Sequence, residues 1–173
     1  MSLSSPFGKY ITIATDISCD SRYKVATWAC WIRYDGGVIR RSGVFSQYPN
    51  DTCRAETYAL INALTIASKL PEWSESRVII HNEIERVLTP LLTKTGKPST
   101  KETDRTEAIV NLAMPLLDKA ASWERRKIKA HMKNWKESEN PAKYAINRWC
   151  DIESRRLMRE TRNGIKKSLK RLC

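Results

Sequence analysis

The chain has 173 residues, of which 41% are hydrophobic and 29% charged, and a formal net charge of +12; this describes one soluble globular domain with an ordinary core. No apolar run approaches the ~20 residues of a membrane span, and five scattered cysteines without a C-x-x-C pair exclude a zinc-site or redox-motif reading. The first residues, Met-Ser-Leu-Ser-Ser-Pro, lack the basic start and apolar stretch of a secretory signal, so a cytoplasmic location with free thiols is expected. The positive charge makes a field that attracts phosphate polymers or anionic membranes. It gathers in the C-terminal third, at 125–129 and again at 155–171.

Tyr10 to Asp16 alternates with a period of two and is rich in β-branched residues, which predicts a half-buried strand ending on Asp16. A polar loop, Ile17 to Tyr23, leads to a second strand, Val25 to Tyr34. Asp35-Gly36-Gly37 is a hairpin signal, and Val38 to Phe45 returns as a third strand, giving an antiparallel meander. Asp51 or Thr52 is placed to cap a helix over Arg54 to Leu70, in which Ala55, Ala59 and Ala63 form one row and Leu60, Leu64 and Ala67 another. Small residues in such a row let a helix lie close on a sheet.

Pro71 stops that helix, and Arg77 to His81 reads as a buried strand; strand, helix and strand form a βαβ unit with the new strand parallel to the first. A short helix is expected over Asn82 to Leu92, a polar loop over Thr93 to Thr103, and a helical segment over Asp104 to Trp123 broken at Pro115. Lys127 to His131 alternates as a fifth strand. Ala142 to about Leu172 is helical in pattern, interrupted at Asn163-Gly164 and strongly basic beyond Arg155. No internal repeat is visible.

Polar residues fall at element ends in this order: Asp16 after the first strand, Glu56 in the first turn of the first helix, Asn82 after the fourth strand, and Asp151 inside the last helix. By itself Asp16 reads as a turn residue ahead of Asp20 and Ser21. With strands one and four as parallel neighbours, however, Asp16 and Asn82 lie at the same edge and the helix delivers Glu56 above them. Clustered hard oxygen ligands are what two divalent cations need to activate water and stabilise the leaving oxygen of a phosphodiester.

Four segments resemble the ribonuclease H family, across about residues 10 to 158. Thr15-Asp-Ile-Ser-Cys19 is similar to its Thr-Asp-Gly-Ser strand end, Arg54-Ala-Glu-Thr-Tyr-Ala-Leu60 to its Arg-x-Glu helix start, Ile128-Lys-Ala-His131 to its Val-Lys-Gly-His strand, and Asn147-Arg-Trp-Cys-Asp151 to its Asn-x-x-x-Asp helix. The resemblance implies an α/β fold with a five-stranded mixed sheet flanked by helices. It implies a monomeric metal-dependent endoribonuclease that cuts the RNA strand of RNA/DNA hybrids with two Mg²⁺ ions, Mn²⁺ being an alternative. Asp16 would bridge both ions, Asp151 would complete the water-activating one, and Glu56 with position 82 would serve the other. His131 resembles a mobile-loop histidine that assists proton traffic or product release, against the plain reading of a polar residue at a strand end. Substrate contacts would fall at Ser18, Cys19, Cys53 and Arg54.

The chain departs from the pattern at three places. Asn82 stands where the family carries a fourth aspartate, and an amide oxygen ligates without charge. Either Asn82 is an inactivating replacement of a natural Asp, or the site is impaired or draws on Glu83 or Glu85. Ile17 replaces a glycine that lets backbone approach the RNA strand, and Thr52-Cys53 replaces paired asparagines that bond ribose 2′-OH groups, the feature separating RNA from DNA. Two alternatives follow: a catalytically impaired nucleic-acid-binding module of the same fold, and a related nuclease acting on duplex RNA or branched DNA. The basic helix beyond Arg155 reads either as a nucleic-acid contact or as an ordinary charged surface.

Overall fold

β1 (Lys9–Asp20), β2 (Val25–Tyr34) and β3 (Gly37–Val44) form the expected antiparallel meander. β1 is longer than its apolar pattern: its ladder with β2 continues from Asp16 opposite Ala29 to Asp20 opposite Val25. Asp16 therefore lies within the strand, and the expected loop from Ile17 shrinks to a turn at 21–24. The reason lies in the partner strand, whose Val25, Ala26 and Thr27 are buried and hold the register to its end. Asp20 closes the turn, its Oδ1 accepting from the backbone N–H groups of Arg22 at 3.0 Å and Tyr23 at 3.2 Å. The computed structural model describes residues 8–82, 107–128, 134, 136 and 141–172.

Asp35 and Gly36 make the second hairpin turn, and Gly37 takes φ 139, a region closed to residues with a Cβ. α1 (Thr52–Ala67) begins at Asp51, whose carboxylate accepts from the N–H groups of Cys53 and Arg54 at 3.2 Å each. That satisfies two of the donors a helix start leaves open. Ala55, Ala59 and Ala63 are fully buried, so α1 lies close on the sheet, with Leu60 and Leu64 packing among Ile11, Ile13, Val78 and Ile80.

β4 (Ser76–Asn82) runs parallel to β1, with Ile13 opposite Ile80 and Ala14 opposite His81. Asn82 is thus the last residue of a strand rather than a helix cap. The remainder of the helix expected to Leu92 and the loop over 93–103 lie outside the described residues. A π-helical turn, Ile109–Ala113, runs into α2 (Met114–Leu117), which ends short of the expected Trp123.

Trp123 instead belongs to β5 (Ser122–Lys127), parallel to β4, which corrects the fifth strand expected over 127–131. Ser-Trp-Glu-Arg-Arg-Lys has little strand pattern, but an edge strand pairs on one side only and tolerates charge. Its register follows from Ala121, whose N–H donates to the Ser76 carbonyl at 3.1 Å. The sheet order is β3-β2-β1-β4-β5.

α3 (Pro141–Leu172) is continuous through Asn163-Gly164, where a break was expected. One interior glycine costs only about 1 kcal/mol, and Ile146, Cys150, Ser154 and Met158 hold the preceding turns against the sheet. α3 covers the face opposite α1, over a small cluster of Ala14, Ala29, Ile146 and Cys150. Trp149 meets Trp31 edge to face at 5.5 Å, and the Arg40 guanidinium stacks 3.8 Å over Trp31. Among the described residues no helix is long and apolar enough to cross a membrane.

Candidate active site

Asp16 is half-buried, and its Oδ1 accepts from the Ile17 N–H at 2.8 Å. Its cross-strand partner Ala29 and its neighbour Ala14 both belong to the cluster beneath α3. Residues two apart on a strand, and residues directly opposite across a ladder, share a face. Asp16 therefore stands on the α3 side of the sheet, at the level where β4 ends.

α3 is locked at that level by Cys150, which is fully buried and donates its thiol to the Ala14 carbonyl at 3.6 Å. The next residue is Asp151. Its carboxylate is 25% exposed and ion-paired with Arg155 one turn on, Nε to Oδ1 2.6 Å. Two turns of packing before it and one after, through Ile146, Asn147 and Ser154, fix where this carboxylate can go. Thr27 adds a buried hydrogen bond to the Ser154 carbonyl at 2.8 Å.

α1 starts at Thr52, ahead of the expected Arg54, so Glu56 falls just past its first turn rather than in it; it is 8% exposed, an unusual degree of burial for a carboxylate. Its charge and that of Asp16 both reach Cys150. Burial pushes the Cys150 thiol well above its ordinary range, and the charges of Cys30, Asp16 and Glu56 push the same way. Glu56 adds to the rise that burial causes at Cys19. The charges of Asp16 and Glu56 thus both act on Cys150, the residue before Asp151.

The closed carboxylate cage expected from the sequence is not formed by the described residues. Among the described residues no group of three or more His, Cys, Asp or Glu side chains is close enough together to hold a metal ion. Arg155 engages the carboxylate of Asp151. The donor set nevertheless suits a hard divalent cation, because it consists of carboxylate oxygens on rigid mounts. Asn82 is placed by its backbone, opposite Lys127; its side chain, and all of Glu83, Glu85 and His131, lie outside the described residues.

Of the expected substrate contacts, Ser18 and Cys19 are on the final residues of β1, opposite Thr27 and Ala26. Cys19 is exposed, and Ser18 is half-buried. Cys53 and Arg54 open α1, and Arg54 lies 5.7 Å from the centre of the Tyr58 ring. These two side chains border a groove of about 300 Å³ with Tyr48, Pro49 and Asn50. The groove is separate from the carboxylates and more polar than a typical small-molecule site.

Two features escaped the sequence reading. His81 is 5% exposed, its Nδ1 has no partner among the described residues, and its pKa is lowered to about 4, first by burial and then by Lys143 and Arg126. Nothing in the local sequence separates such a histidine from any other strand residue. The Asp151–Arg155 pair was legible, being four residues apart on a helix.

No protein-family model matches the chain, and no curated protein does. Solved structures do. An RNase H1 from the halophilic archaeon Halobacterium salinarum NRC-1 is 15% identical with a TM-score of 0.55, covering 70% of this chain and 86% of that one. The N-terminal RNase H domain of rv2228c from Mycobacterium tuberculosis, solved as a fusion with maltose binding protein, is 12% identical with a TM-score of 0.60, covering 88% and 99%. LC11-RNase H1, isolated from compost by a metagenomic approach, is 15% identical with a TM-score of 0.56, covering 80% and 96%. The chain has a ribonuclease H-like fold: a five-stranded mixed sheet, three strands antiparallel and the others parallel, with flanking helices.

Proposed function

We propose that this protein is a metal-dependent endonuclease that hydrolyses the RNA strand of RNA/DNA hybrids. The reading is supported by the ribonuclease H-like sheet together with Asp16 on the α3 side of β1, Cys150 fastening Asp151 beside Ala14, and the charges of Asp16 and Glu56 both acting on the Cys150 thiol. These three carboxylates would hold two Mg²⁺ ions, or Mn²⁺, whose chemistry is activation of water and stabilisation of the leaving oxygen.

The protein's own residues prepare that chemistry in three ways. Burial of Glu56 and partial burial of Asp16 keep their carboxylates out of bulk water, which raises their interaction with a bound cation. The Cys150 anchor fixes the height of Asp151 against β1. Arg155 compensates the Asp151 charge until an ion takes its place.

The position of the fourth acidic residue is taken by Asn82, the last residue of β4. An amide oxygen there would ligate without charge, and Glu83 or Glu85, which lie outside the described residues, would supply the missing charge.

The test is cleavage of a labelled RNA/DNA hybrid with Mg²⁺ by the chain itself and by Asn82→Asp, Glu83→Gln, Glu85→Gln and Asp16→Asn variants. Cleavage by the unaltered chain, lost in Asp16→Asn and in Glu83→Gln or Glu85→Gln, is the expected result. An inactive chain rescued by Asn82→Asp would show that the charge is needed at position 82 itself. No cleavage by either protein, with hybrid binding retained, would leave a binding module of this fold. Duplex RNA and branched DNA in the same assay separate the related nucleases.

A further inference from the structure

Beyond Asp151 five basic residues of α3 share one face that carries no glutamate. Arg155, Arg159, Arg162, Lys166 and Lys170 succeed one another at intervals of four, three, four and four residues, which keeps them in one stripe roughly 80° wide. Asp151 heads the same stripe, one turn before Arg155. The acidic residues of this half of the helix lie elsewhere: Glu153 and Glu160 flank Arg156 and pair with it at 2.8 and 2.6 Å. Lys167 and Arg171 follow on that flank, beyond these ion pairs. Within the stripe, Asp151 pairs with Arg155 and Asp20 lies 3.6 Å from Arg162, while Arg159, Lys166 and Lys170 are exposed and make no ion pair among the described residues.

The stripe is also held in place relative to the carboxylates. Cys150 anchors α3 to Ala14, Thr27 bonds the Ser154 carbonyl, Arg162 meets Asp20, and Lys166 lies 5.7 Å from the Tyr23 ring in the β1–β2 turn. The basic stripe thus follows β1 away from the site and past the turn, where Arg22 adds a further cation against Tyr23. From Arg155 to Lys170 it spans about 22 Å at 1.5 Å per residue. An anionic polymer engaged at Asp151 would meet this line of cations as it left the site.

We propose that this stripe of α3 binds the phosphodiester backbone of the nucleic acid whose scissile strand occupies the carboxylate site. The inference rests on the nuclease reading for its starting point, at Asp151, and on charge complementarity for its partner. Phosphate contacts of this kind add affinity and register without reading sequence. The stripe would therefore extend the footprint and favour long duplexes over short ones.

The experiment uses the full chain in EDTA, where binding is read without hydrolysis. Two hybrids are compared, a short one that fills the carboxylate site and one extended by about 10 base pairs, roughly 34 Å of duplex. A triple variant, Arg159→Gln, Lys166→Gln and Lys170→Gln, is set against a control triple, Arg33→Gln, Lys69→Gln and Lys119→Gln, which removes the same charge from exposed sites elsewhere. Circular dichroism confirms that each variant is folded.

The stripe variant should bind the extended hybrid at least about tenfold more weakly, with the slope of log affinity against log salt shallower by about 2 to 3. The control triple and a charge-keeping Lys166→Arg, Lys170→Arg variant should retain most of the affinity. Unchanged affinity and slope in the stripe variant, or an equal loss in the control, would overturn the proposal. Cleavage of the short hybrid with Mg²⁺ is scored separately. Its absence counts against the nuclease reading and leaves stripe-dependent binding standing.

Discussion

The carboxylate of Asp151 and the guanidinium of Arg155 are joined at 2.6 Å across one turn of α3. The pair stands where the last ligand of a metal site is proposed, so Arg155 and a divalent cation compete for one carboxylate. Arg155→Ala should lower the Mg²⁺ concentration giving half-maximal cleavage. Asp151→Asn should reduce cleavage by more than about 100-fold, the upper range for loss of even an outer partner of a metal. Titrating Mg²⁺ against initial rate for both variants checks this, and an Arg155→Ala curve superimposed on the parent would show that the two do not compete.

α1 presents Glu56 just beyond its first turn, and that turn is fastened by Asp51. Asp51→Ala should cost about 1 kcal/mol of stability and let the first turn fray. The expected signature is a modest drop in the urea midpoint together with a larger fall in cleavage than Thr65→Ala produces further along the same helix. Equal effects on rate from the two variants would mean that the cap does not position Glu56.

Acid should destabilise the fold in two separate windows. His81 has its pKa lowered to about 4 from an ordinary 6.5, so the folded state resists the proton that the unfolded chain takes up. Stability is fully present above about 6.5 and declines as pH falls toward 4, by up to about 3 kcal/mol. Glu153, lowered to about 2 by Arg156 and by the Ser42 hydroxyl that donates to it at 2.8 Å, acts in the same direction between about 4.5 and 2. Urea midpoints from pH 7 to 3 should lose the upper step in His81→Gln and the lower step in Glu153→Gln.

Thiol chemistry should sort the cysteines by burial. Cys30 is fully buried with its pKa raised to about 11, and burial and nearby charge push Cys150 well above its ordinary range. Cys19 is exposed and Cys53 half-buried. A thiol reagent at neutral pH should modify Cys19 and Cys53 in the native protein and reach Cys30 and Cys150 only after unfolding. Mass mapping of the modified peptides reads the order, and early labelling of Cys150 would contradict the anchor at Ala14.

Much of the architecture was legible because its determinants are local. The composition of Val25–Tyr34, the Asp35-Gly36-Gly37 turn, the alanine row of α1 and the βαβ order are each short-range signals, and together they dictate the mixed sheet. Asp16, Glu56 and Asp151 could be named because each falls in a short segment that resembles a ribonuclease H motif.

What the sequence could not settle depended on partners remote in the chain. β1 runs on to Asp20 because β2 holds it there, and Ser122–Lys127 is a strand because β4 offers an edge. α3 passes through Gly164 because the turns before it are already packed. The place of Asp16 depends in the same way on a cross-strand partner: its pairing with Ala29 puts it on the α3 side of the sheet. A sequence states which side chains are available and their local period, whereas register between strands is a choice made by burial across the whole sheet.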